Sequence, residues 1–256
     1  MNGKHLALFM SVAYFAIGFS PITALAMAII GILPLPVATL LIVLPATLLG
    51  IVLSLLFPAY GKLALKGLLI GLIAVFLYDC MRVPFILTGI WGDFIPKINM
   101  LLFNTSQPNL VVGYTWRYIG DGGYMGMAFT VAYCILKPRV DARIAGVAFG
   151  LAIWVCLLGT LILAPHGQEM LFKLTLTTMT LSLLGHLIYG IALGMLLPYA
   201  LREKVIGTAP IMAVMGNSQV VLEELSGEEE TVILPPLLRV RPMWEHKTTQ
   251  LSVAIS

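Results

Sequence analysis

The sequence predicts an all-α polytopic membrane protein: a six-transmembrane-helix bundle with an outer interfacial segment and a short C-terminal extramembrane tail holding a possible β-hairpin. Three observations predict it. Hydrophobic residues make up 59% of the chain and charged residues only 11%, at a mean hydropathy of +0.98. A soluble domain carries about 25% charged residues, so the supply for a wetted surface falls well short. Six apolar runs approach or exceed the roughly 20 residues that a helix needs to cross a bilayer. Lys and Arg are unequally divided between the connections that separate those runs.

The first run, 6–32, begins like a secretory signal: Lys4, an apolar stretch, then Ala24-Leu25-Ala26. Its apolar core is too long for a signal peptide, and it is read as a span. Pro34 and Pro36 separate it from the second run, 36–58. The third is 63–81. The fourth, fifth and sixth are 112–136, 143–164 and 174–198, divided by Pro138 and by Pro165-His166-Gly167 and closed by Pro198.

With the N-terminus inside, the inner connections hold Lys4, Lys62, Lys66, Lys137, Arg139, Arg143, Arg202 and Lys204, and the outer ones Arg82, Lys97, Arg117 and Lys173. That excess places both termini on the cytoplasmic side. The long connection 83–111 then lies outside. Trp91, Phe94, Ile95 and Phe103 make it too apolar for a free loop, while Pro and Gly interrupt it too often for a span. It reads as an interfacial or re-entrant segment with Trp91 at headgroup level.

The composition changes in the tail, 202–256. Two β-prone runs, 220–225 and 231–234, flank Ser226-Gly227-Glu228-Glu229-Glu230 in a hairpin pattern. A lone hairpin is marginal in water, so the tail is expected to dock on other membrane-protein subunits.

Four runs carry glycine pairs one turn apart: Gly67 and Gly71, Gly122 and Gly126, Gly146 and Gly150, Gly190 and Gly194. Small residues at that spacing let helix backbones approach closely.

The chemistry-bearing residues are few. Asp79 and Arg82 are spaced i, i+3, and Arg117 and Asp121 i, i+4. These spacings allow two local pairs, or a cross-helix network of Asp79 with Arg117 and Arg82 with Asp121. The four charges make a register-fixing clamp or an ion site. Gly120, Gly122 and Gly123 leave open that the helix starts after Asp121, with Asp121 as its N-cap. In the last run Ser182, His186 and Gly190 share a face, with Tyr189 beside them. His186 suits a proton relay, a haem or chlorophyll ligand, or a neutral imidazole bonded across the bundle. A bis-His haem site has no second member, because His5, His166 and His246 lie elsewhere; chlorophyll needs one ligand.

Other classes are disfavoured. Basic residues are scattered, with no nucleic-acid footprint. Cys80, Cys134 and Cys156 have neither metal nor redox spacing and read as small buried hydrophobes. No catalytic motif is present, and His166 with Glu169 is too few ligands for a metal site.

The stretch His186-Leu187-Ile188-Tyr189-Gly190 with Gly194 resembles the late-helix pattern of uncharacterised bacterial multi-pass membrane proteins, and Tyr78-Asp79-x-x-Arg82 is similar to another of their features. The resemblance implies a bacterial source and no particular activity. The expected function is a non-catalytic accessory subunit or assembly factor of a larger membrane complex, in a bacterial inner or thylakoid membrane. The alternatives are a small-solute or proton-coupled transporter using Asp79, Asp121 and His186, and a haem- or chlorophyll-binding subunit.

Overall fold

The computed structural model describes residues 3–136, 140–165 and 167–202, and every regular element among them is helical. The tail from 203 onward, with its expected hairpin and docking role, lies outside the described residues, as does His166.

Helix α1 is Gly3–Ile30, closed by Gly31 at φ 86, a left-handed residue of the kind that commonly ends helices. Helix α2 is Leu35–Leu56. It contains a π turn at Thr39–Val43, just ahead of Pro45, which has no N–H to donate back along the helix. Helix α3 is Pro58–Leu87, with Pro58 in its first turn. It extends past the expected 63–81 at both ends, so Arg82 lies inside the helix and Pro84 is absorbed near its end.

Residues 88–109 hold a 3-10 turn, Ile95–Lys97, and the short helix α4, Ile98–Phe103. Helix α5 covers 110–136 as three consecutive pieces: Leu110–Thr115, a π segment Trp116–Gly123, and Tyr124–Leu136. The junction residues Thr115 (φ −60, ψ −47) and Tyr124 (φ −64, ψ −43) are both right-handed helical, so the rod is unbroken. Asn109 caps its start by accepting the Val112 amide at 3.1 Å. Helices α6 (Ala142–Leu163), α7 (Gly167–Met170) and α8 (Leu176–Arg202) follow.

Among the described residues, five helices are long and apolar enough to cross a membrane: α1, α2, α3, α6 and α8. Their outward faces carry large apolar side chains such as Leu41, Leu55, Ile162 and Leu163. That much exposed hydrocarbon is consistent with an integral membrane protein.

Helices α3 and α8 are the most enclosed of these five, about half buried, and α3 packs on both α5 and α8. The four glycine pairs meet as two crossings. A Cβ on Gly71 would run into the Gly122 carbonyl, and one on Gly126 into the Gly71 backbone, so α3 and α5 touch through their main chains. Gly146 and Gly150 likewise face Gly190 and Gly194, joining α6 to α8. Small residues at one-turn spacing are selected by just this contact.

Trp91 is 1% exposed, packed edge-on to Phe172 at 5.7 Å. Ile95 and Ile98 are equally buried, so 88–109 folds into one end of the bundle as a cap. The physical reason is that the cap covers a buried Arg82, which an exposed segment would leave open. The cysteines are misplaced by the sequence: Cys80 and Cys156 face outward and Cys134 is half-buried, because their helices present those faces to the surroundings.

Candidate site: a charged ladder beside an intramembrane cavity

Under the cap, four charged residues from the cap, α3 and α5 alternate in sign along a ladder. Asp93 of the cap accepts from Arg82 of α3 at 2.8 Å. Arg82 lies 3.9 Å from Asp79, one turn earlier on α3. Asp79 accepts from Arg117 of α5 at 3.1 Å. Of the two cross-helix pairs expected, Asp79 with Arg117 is formed. Arg82 with Asp121 is not: Arg82 turns to Asp93, a residue whose role the sequence analysis missed.

Aromatic rings complete the surroundings of both guanidiniums. Arg82 lies over Phe94 at 4.8 Å and Trp91 at 5.4 Å, and Arg117 over Tyr78 at 4.4 Å. A guanidinium is weakly hydrated, planar and able to stack, so it tolerates such enclosure better than an ammonium. Tyr114 of α5 donates to the second Asp93 oxygen at 3.2 Å, and the Ile95 amide to the first at the same length. Asp93 therefore fastens the cap to α3 and α5 together.

Asp121 stands apart. It is not an N-cap, because the helix begins eleven residues earlier at Leu110 and Asp121 sits within the π segment. The expected local pair with Arg117 is also absent: no ion pair joins them among the described residues. The π turn explains this. It brings i and i+5 into register, so Trp116 rather than Arg117 stands nearest above Asp121. Asp121 is 5% exposed, and its Oδ1 has no hydrogen-bond partner among the described residues; nor has the Trp116 indole N–H. The expected balance of two charges of each sign becomes three carboxyls against two guanidiniums.

His186 lies on α8 beside this group. Its Nδ1 is 2.7 Å from the Ser182 carbonyl. A carbonyl only accepts, so Nδ1 carries the hydrogen and Nε2 of the neutral ring is left as an acceptor. The bond runs back along its own helix rather than across the bundle. The ring also packs on Tyr78, centroids 5.4 Å apart. The Ser182 hydroxyl is engaged separately, donating to the Met179 carbonyl and accepting from the Trp154 indole N–H, both at 3.0 Å. Tyr189 donates to the Gly122 carbonyl at 2.7 Å, tying α8 to the π segment. The small residues next to His186 are filled by helix packing: Gly190 lies against Gly146, which closes the flat slot that a planar macrocycle would use there. Among the described residues no group of three or more His, Cys, Asp or Glu side chains could hold a metal ion.

Tyr78, Arg117, Asp121 and His186 line one cavity of about 240 Å³. Its remaining wall is largely apolar, from α1, α6 and the cap. Thr23 of α1 and Cys156 of α6 line it too, and both residues are exposed. A satellite space of about 20 Å³ continues from the same four residues to Tyr189. Gly185 shapes this wall as well: a Cβ there would overlap the Tyr78 ring, which lies directly on it.

Besides Asp93, Tyr78 and Gly185 are working parts that the sequence pattern does not single out. Asp93 had a signal, a lone carboxylate inside the apolar stretch Trp91 to Ile95. Gly185 had none, since nothing in the local pattern names Tyr78 as its neighbour.

No curated protein and no solved structure matches the chain. The model of a family of unknown function, DUF6789, matches residues 62–206, more than half of the chain, and the chain belongs to that family.

Proposed function

We propose that this DUF6789 member is a six-span membrane protein that takes a small solute, coupled to proton movement, into the cavity at Asp121. The observation that carries this is the Asp121 carboxyl: buried, partnerless at Oδ1 and set in a cavity wall beside the His186 ring, which keeps one acceptor nitrogen. A purely structural clamp has no use for a third carboxyl, because an unpaired buried polar group costs stability without fixing register. Ionisable groups inside membrane spans mark solute and proton paths.

The sixth span in this reading is α5, whose three pieces run without a break. The excess of Lys and Arg in the alternate connections supports cytoplasmic termini and a cap on the far side, in a bacterial inner membrane. The test uses purified protein in liposomes with a trapped pH dye and a panel of amines, carboxylates, alcohols and sugars outside. At least one solute should shift the internal pH with the native protein and not with Asp121→Asn that still inserts. A panel with no protein-dependent signal would overturn transport.

An accessory subunit of a larger complex is the second reading, favoured by α2. That helix is 11% buried, far less than α3 or α8, which leaves a long apolar flank for another subunit. Native mass spectrometry after mild extraction tests it through recovery of a stoichiometric partner.

A further inference from the structure

We infer that the Asp121 cavity binds a small lipophilic monocation, an ammonium group on an aromatic or short alkyl body, admitted sideways between α1 and α6. The inference rests on the cavity reading above and names the ligand class.

Asp79 is shared by Arg117 and Arg82, and Asp93 is held by Arg82, Tyr114 and the Ile95 amide. Two guanidiniums are thereby shared among three carboxyls: Arg117 lines the cavity with Asp121 but forms its ion pair with Asp79. No Lys or second Arg lines the cavity to balance Asp121. A ligand ammonium would supply the missing charge and a donor for Oδ1.

The rest of the wall favours the same class. In the neutral ring the His186 Nε2 offers a lone pair, with the hydrogen held at Nδ1 by the Ser182 carbonyl. Phe19 and Phe172 supply ring surface for a cation and its apolar body, while Tyr78 and Phe94 already carry the two guanidiniums. At about 240 Å³ the space lies under the roughly 300–1,000 Å³ of drug-sized sites, so the body must be small. Entry past the exposed Thr23 and Cys156 comes from where lipid would lie, a route that a lipophilic amine can use and a strongly hydrated inorganic cation cannot.

The experiment compares three probes of one skeleton and different charge: 2-phenylethylammonium, 2-phenylethanol and 3-phenylpropionate. Binding to the purified full chain in detergent is read by calorimetry and tryptophan fluorescence. The ammonium should bind saturably, and at least about tenfold more tightly than the alcohol, since a charge-assisted contact in an enclosed site is worth that much. Asp121→Asn should erase that preference and Asp121→Glu retain part of it. Equal binding of alcohol and ammonium, tighter binding of the propionate at Arg117, or no saturable binding of any probe would each overturn the inference. The ligand comparison needs no variant, so it survives if Asp121→Asn fails to fold. Ammonium binding without flux in liposomes would sink transport alone; Asp121-dependent flux of a neutral solute would sink the ligand class alone.

Discussion

Arg117 reaches from α5 to Asp79 on α3 at 3.1 Å while its guanidinium lies over the Tyr78 ring at 4.4 Å. One side chain therefore joins the ladder, the cavity wall and the central helix crossing. Because Asp79 is buried and Arg117 largely so, removing one leaves the other uncompensated, at about 3–5 kcal/mol. Arg117→Gln should lower unfolding stability in detergent by an amount of that order. The double variant Asp79→Asn with Arg117→Gln should recover part of the loss, because it removes both charges. A loss in the double variant equal to the sum of the two single losses would show that the pair is not coupled.

The Arg82 contact with Asp93 predicts a local effect. Asp93→Asn keeps the shape of the side chain but removes the charge that holds the cap to α3. Amide exchange should rise across residues 91–103, where the buried Trp91, Ile95 and Ile98 depend on the cap staying in place. Exchange at the α6–α8 crossing around Gly146 and Gly190 should be unchanged. Uniform acceleration throughout would mean that the contact supports the whole bundle instead.

Gly185 and Gly159 should respond in opposite ways to the same substitution. A methyl on Gly185 would overlap the Tyr78 ring, whereas one on Gly159 meets nothing within 4 Å. Gly185→Ala should cost about 1–3 kcal/mol by overpacking and displace Tyr78 from His186. Gly159→Ala should be neutral or stabilising by up to about 1 kcal/mol, because alanine restricts the unfolded chain and suits a helix interior. Thermal unfolding of the two variants side by side decides it.

Cys156 offers a check on the sideways opening. It is exposed and lines the cavity, whereas Cys80 is exposed but does not. With the other two cysteines replaced by serine, a bulky maleimide on Cys156 should reduce binding of 2-phenylethylammonium. The same adduct on Cys80 alone should leave binding intact. Equal effects at the two positions would place the opening elsewhere.

Much of the helix inventory was legible from hydropathy, since a helix in an apolar setting satisfies its backbone within itself and announces its length directly. The boundaries of α3 were less legible. Pro58 and Pro84 look like breaks in the pattern, but a first-turn proline loses no bond and a proline near the end loses little. Of the candidate residues, Asp79, Arg117 and His186 were found by rarity alone: charges and imidazoles stand out in a chain with 11% charged residues. Their bonds were only half legible. The i, i+4 rule pairs Arg117 with Asp121, but it assumes an α turn, and the π segment at Trp116–Gly123 breaks that assumption.

The sequence by itself determined that this chain is built of long apolar helices, that four of them carry close-packing glycine pairs, and that the polar residues are too few to be incidental. Those properties live in composition and short-range period, which need no partner to be read. Tertiary structure alone decided which glycine pair faces which, that Arg82 belongs to Asp93, and that Asp121 is the buried carboxyl that forms no ion pair and leaves Oδ1 unbonded among the described residues. Each of those depends on contacts between different helices or on one inserted π turn. A partner that distant leaves no mark in the local pattern, and burial, which makes an unpaired carboxyl costly, exists only once the bundle is assembled.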